Sequence, residues 1–321
     1  MTETGKHSWV CAAGICISFL LSALPLKAVD DGAGAMERGM TAFLGTGTPE
    51  EKQTALGSMA VEPGNREYLV GQWKNSADNR RRLHALIVLC DILRADEMAD
   101  LLAETCRNGR ADCLEKYIMT AALLDKVDML QPGARKRPRP DTEKDVSEKD
   151  WAGFRAGMLA TAQLLGGDDD WRIRRMSAEL LGRLNCTGVT AMHRKLLEDE
   201  AWCVRVRAIE VLGALPRGEN ITILEKILAR NDKARITDGL AAIRAMADLE
   251  YLPGLLAGLD HTGSELEVES IRGFAKQSVL TPECEEALRT RMEKTADERV
   301  RLKIKKLLED RRQSNVEKDK L

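Results

Sequence analysis

The sequence predicts an all-α fold, an α-solenoid (superhelix) of helix–turn–helix repeats. Three observations carry that prediction. Charged residues make up 31% of the 321 residues and aromatic residues only 4%, while Ala, Leu, Arg and Glu, which lose little side-chain freedom in a helix, are abundant. A segment recurs: residues 171–184, WRIRRMSAELLGRL, match residues 202–215, WCVRVRAIEVLGAL, at an offset of 31. Shorter amphipathic stretches at 189–197, 221–228, 252–259 and 284–292 alternate with this copy and its looser successors.

Residues 1–28 read differently from the rest. Lys6, His7 and Ser8 precede an apolar run from Trp9 to Leu26, and Ala28 or Ala23 supplies a small residue at a cleavage point. This is signal-peptide anatomy, so export is expected. An uncleaved anchor is the alternative, because the run approaches bilayer length. Pro25 and the small residues shorten its apolar core and favour cleavage.

Residues 29–75 are expected to form a divergent helical cap, with helices at 35–43 and 50–59 and a turn at Pro63 and Gly64. Repeats are expected over 76–130, with helices at 78–93, 96–105 and 112–124. Residues 131–150 break the pattern. Prolines and Arg135, Lys136, Arg137 and Arg139 come first, and mixed charges follow, so a charged, Pro-rich exposed loop is expected. Repeats resume over 151–310, and a polar tail that frays closes the chain over 311–321.

In the two clearest copies, Trp171 matches Trp202, Arg174 matches Arg205, and Glu179 matches Glu210. Gly182 and Gly213 match near the helix ends, where glycine admits a close neighbour or supports an exit turn. Ile173, Met176, Leu180, Leu181 and Leu184 fall on one helical face. A single helix pair cannot cover that face, and stacking gives it a neighbour. Looser copies start near Ile236, Leu266 and Asp297.

An acid, then Trp, then Ile or Val, then Arg, with a Leu-Gly-x-Leu helix end, resembles a HEAT repeat, in particular the short form of the phycobilisome lyases. The best copies cover 168–259, and weaker ones extend over roughly 75–310. The resemblance implies a binding scaffold. In such arrays an arginine at this position pairs with an acid of a neighbouring repeat, so Arg174, Arg205 and Arg235 form a candidate ladder with Asp170, Asp199 and Asp232. A concave arginine row for an anionic ligand is the alternative. Trp171 and Trp202 are expected to cover packing between repeats. Exposed, they would instead be binding hot spots.

Six cysteines follow residue 28, and export permits disulfides. Cys106 with Cys113 and Cys186 with Cys203 are the candidate pairs. The competing reading makes all six small buried apolar residues, Cys90 above all. Asp168, Asp169 and Asp170 lack the spacing of an EF-hand and are read as the cap of the helix starting at Trp171. His84, His193 and His261 are far apart and show no metal-ligand spacing, and the His-Glu pairs of HEAT-like metal hydroxylases are missing. No cofactor is expected.

The net charge of −2 gives no footprint for nucleic acid. The basic run at 135–139 lacks the interleaved aromatics that single strands require. A membrane would be met only through an uncleaved anchor. The expectation is therefore a noncatalytic, exported scaffold that binds a protein partner. A lyase-like accessory handling a cofactor or chromophore is the first alternative. An anchored envelope structural protein is the second.

Overall fold

A computed structural model describes residue 48 and residues 65–318, apart from 110, 131–147, 185–189, 217, 231–232, 262–264 and 278. The expected signal segment, the helices at 35–43 and 50–59, the basic run, Cys186 and Asp232 lie outside the described residues. Among the described residues there are fourteen α-helices and one short 3-10 turn, and no strand. No described helix is long and apolar enough to cross a membrane.

The chain divides into two compact units between Met176 and Ser177. The first contains α1 (Asn65–Asn75), α2 (Asn79–Ile92), α3 (Ala95–Asn108), α4 (Cys113–Leu130) and α5 (Glu148–Leu165). Here α1 packs on α2, α2 on α4, and α3 on both α4 and α5. The first of these helices was not read from sequence. Its apolar side chains are sparse, but Leu69 and Trp73, one turn apart, are both buried. The ends of α3 are fixed locally. The Glu97 carboxylate accepts from the Arg94 backbone N–H at 3.0 Å, as in a capping box. Gly109 leaves the helix at φ 61, a conformation that favours glycine.

Helix α6 (Trp171–Arg183) crosses the unit boundary. Its start is capped as expected: Asp170 Oδ1 accepts from the Arg172 N–H at 2.8 Å. The second unit continues with α7 (Ala191–Leu197), α8 (Trp202–Leu212), α9 (Glu219–Ala229), the 3-10 turn Lys233–Arg235, α10 (Ile236–Asp248) and α11 (Leu252–Leu259). It closes with α12 (Glu265–Lys276), α13 (Pro282–Lys294) and α14 (Glu298–Lys318). Helix α14 runs through most of the expected polar tail, to Lys318.

Within this unit the helices form two rows. The longer ones stack in succession, α8 on α10, α10 on α12 and α12 on α14. The others pair with the helix that follows, α7 with α8, α9 with α10, α11 with α12 and α13 with α14. This is a solenoid-like stack, and its core lies between the rows. Val204, Ile209, Leu212, Ile243, Met246 and Phe274 are buried there. Each such side chain contributes roughly 1.5–3 kcal/mol on leaving water.

The Leu-Gly glycines serve close approach. A Cβ on Gly213 would lie 2.8 Å from the Ala245 Cα, and one on Gly182 would lie 2.8 Å from a Val211 methyl. Gly213 has φ −67, so the left-handed exit turn is not its role.

Candidate functional site

The repeated arginines point inward. Arg205 is only 7% exposed. Its Nη1 donates to the Asp199 and Glu200 carbonyls at 2.9 and 3.0 Å, clasping the turn that leads into its own helix. Its Nε donates to Asp238 Oδ2 on α10 at 2.8 Å. One guanidinium thus joins its own turn to the following repeat. Arg174 is 8% exposed, and its Nη1 donates to the Asp168 and Asp169 carbonyls at 3.0 and 2.8 Å.

The ladder is therefore present at Arg205 with a corrected partner. Asp199 offers its backbone carbonyl, and Asp238 provides the carboxylate. The reason is the position of Arg205 near the helix start, which puts the preceding turn's carbonyls within reach of one nitrogen and the neighbouring helix within reach of another. Arg235, in the 3-10 turn, stands outside this arrangement. It pairs at 3.2 Å with Glu198, which Arg230 also contacts at 2.9 Å. These bonds, Arg230 first, hold the Glu198 carboxyl below its ordinary range.

Two members were missed from sequence. Arg301 donates to the Thr295 carbonyl at 2.8 Å, the same six-residue reach as Arg205 to Asp199. In the first unit Arg82 Nη2 contacts both oxygens of buried Glu115 on α4, at 2.7 and 2.9 Å. The Trp73 indole N–H donates to the same carboxylate at 3.2 Å. Arg82 and Glu115 are 33 residues apart, as are Arg205 and Asp238. That shared spacing was the signal available in the sequence.

Trp171 and Trp202 reach the surface. They are 41% and 60% exposed. Each is the first residue of its helix, two positions before the buried stripe begins at Ile173 or Val204. Side chains on a helix tilt toward its N-terminus, so these indoles lean off the helix start. The Arg172 guanidinium stacks 5.6 Å from the Trp171 ring centre.

Cys106 and Cys113 stand as free thiols, and so does Cys203. The Cys113 thiol donates to Asp170 Oδ2 at 2.7 Å and keeps the Asp170 carboxyl below its ordinary range. Beside it Lys116 pairs with Asp168 at 2.6 Å. Cys90 is buried, and burial pushes its thiol up to about 12. His193 occupies the third position of α7, where its Nδ1 accepts from the Thr190 N–H at 3.0 Å. Among the described residues His, Cys, Asp and Glu form no group of three that could hold a metal ion.

Concavities among the described residues of the second unit include the following two. One, of about 20 Å³, is lined by Asp238, Gly239, Leu266, Arg230 and Arg235. It adjoins Asp238 Oδ1, a buried oxygen with no hydrogen-bond partner among the described residues, and is about large enough for one water. The other is a groove of about 520 Å³ between α12 and α14, with Ile271 and Leu307 in its lining.

Residues 159–247 match the family model described as HEAT repeats. This stretch is a run of HEAT repeats. The HEAT segment includes both copies that begin at Trp171 and Trp202, together with most of α10. The chain is also similar, at 15% identity, to an engineered protein of known crystal structure, with 86% of this chain and 98% of that one covered and a TM-score of 0.24. No curated protein matches the chain.

Proposed function

We propose that this HEAT-repeat protein is a noncatalytic scaffold that binds a protein partner in an exported compartment. One observation carries the reading: the two best repeats leave a tryptophan in solvent at the same helix position, while their arginines are buried inside the fold. A large exposed aromatic is poorly placed for stability and well placed for association, since Trp dominates interface hot spots. HEAT repeats generally serve as interaction surfaces, which supports the same reading.

The test is cross-linked affinity capture from the exported fraction of the native host, with the parent chain and Trp202→Ala run side by side. The expected result is a discrete partner whose affinity drops at least about thirtyfold, or ~2 kcal/mol, in the variant. Thermal unfolding of the variant should stay within about 0.5 kcal/mol of the parent. Failure to capture any specific partner, together with a measurable turnover, would reject the scaffold in favour of an enzyme. N-terminal sequencing checks export separately: a mature start at Val29 is expected, and an intact N-terminus rejects cleavage.

A further inference from the structure

We infer that the groove between α12 and α14 is a docking site for an acidic peptide segment that carries a leucine-sized apolar side chain. The assignment deepens the scaffold reading and rests on it. The groove's apolar floor is made by exposed Ala275 and the stems of the flanking long side chains, over Ile271 and Leu307, which are 3% and 7% exposed. Arg272, Lys303, Lys306 and Arg311 surround it. Asp310 is the acid in the lining.

Lys303 and Lys306 supply the surplus charge. Arg272 shares the Glu269 carboxylate with Arg244, at 2.9 and 2.8 Å. Lys303 and Lys306 are exposed, three residues apart on one face of α14, and have no carboxylate partner among the described residues. Arg311 donates to the Gln277 and Phe274 carbonyls across the groove, which ties α14 to the end of α12. The result is a slot between two helices, with an apolar base and surplus positive charge on its rim.

Its volume of about 520 Å³ fits a few residues of peptide rather than a folded surface. An apolar side chain would pack on Ala275 and the lysine stems, and flanking carboxylates would meet the Lys303 and Lys306 ammonium groups. A nucleic-acid strand is the poorer match, because the lining has no aromatic side chain on which a base could stack.

The experiment uses the full chain and a fluorescein-labelled Glu-Asp-Leu-Glu-Asp peptide, followed by anisotropy. Control peptides replace the acids by lysine or the leucine by serine. Vesicles of phosphatidylglycerol form a further arm. The acidic peptide should bind, and its affinity should fall as salt rises from about 50 to 300 mM. Joint Lys303→Glu and Lys306→Glu substitution should weaken it about tenfold or more. Melting should be unchanged, because both lysines are exposed. Loss of affinity in the serine peptide supports the apolar floor. Equal binding of acidic and lysine peptides, indifference to the charge reversal, or preference for the vesicles overturns the inference. If the charge-reversed chain still captures a partner that Trp202→Ala loses, the groove assignment fails and the scaffold stands. If no partner is captured and a turnover is measured while the peptide still binds the groove, the scaffold reading fails instead.

Discussion

The helix cap at His193 makes the second unit sensitive to mild acid. The imidazole is 1% exposed, and burial pushes its pKa down to about 4. Its Nδ1 accepts from the Thr190 N–H, while the Thr190 hydroxyl accepts from the His193 N–H at 3.3 Å. The neutral ring therefore holds the cap through the Thr190 N–H, and burial is what opposes its protonation. In the unfolded chain the same histidine titrates near 6.5. As pH falls below about 6.5 the unfolded chain takes up a proton that the folded chain refuses, so stability drops. The loss is complete near pH 4, where the folded form also protonates. The fall from 6.5 to about 4 corresponds to at most ~3 kcal/mol. His193→Gln removes the titration and keeps a capping box, because Gln at the third position can still accept from the Thr190 N–H. Urea unfolding followed by circular dichroism at pH 7.5, 6.5, 5.5 and 4.5 would read the difference. Relative to His193→Gln, the parent should lose roughly 2–3 kcal/mol between the first and last of these. Carboxylates common to both chains cancel in that comparison. Parallel loss of stability in the two proteins would refute the assignment of the acid sensitivity to this ring.

The buried rung gives a second test. Arg205→Leu or Asp238→Leu alone leaves a buried charge without its partner and should cost roughly 3 kcal/mol in denaturant unfolding. The double substitution should cost clearly less than the sum, and simple additivity would mean the pair is not coupled. Glycines give a third, with opposite signs at two sites. Gly213→Ala drives a methyl into the Ala245 backbone and should destabilise by about 1–3 kcal/mol. Gly157→Ala, in a helix with nothing within 4 Å of the added carbon, should stabilise by about 0.5–1 kcal/mol in the same measurement.

Much of the repeat architecture was legible because two copies keep the same residues at the same positions. Ile173 and Val204 open the buried stripe, and Gly182 and Gly213 mark the close crossings. The arginine at 205 was also legible, but its carboxylate was not. Asp199 is near in sequence, whereas Asp238 is near only after α8 and α10 have stacked. Arg301 escaped notice because Glu298 stands where the better copies have Trp. The exposure of the tryptophans was hard to read for a related reason. Residue type suggested core, while their place before the first buried position decided exposure. The groove between α12 and α14 had no sequence signal, because Ile271 and Leu307 belong to segments that become neighbours only through stacking.

The rungs at Arg82–Glu115 and Arg205–Asp238 bear on how such an array can change over generations. Each joins a basic residue of one repeat to an acid of the next. A duplicated or deleted repeat would carry half of a rung and meet a mismatched half, leaving a buried charge unanswered. Viable rearrangements of this chain should therefore move cut points away from these residues, or exchange both halves together. The buried charges act as a registry key that restricts which modules can be spliced next to one another.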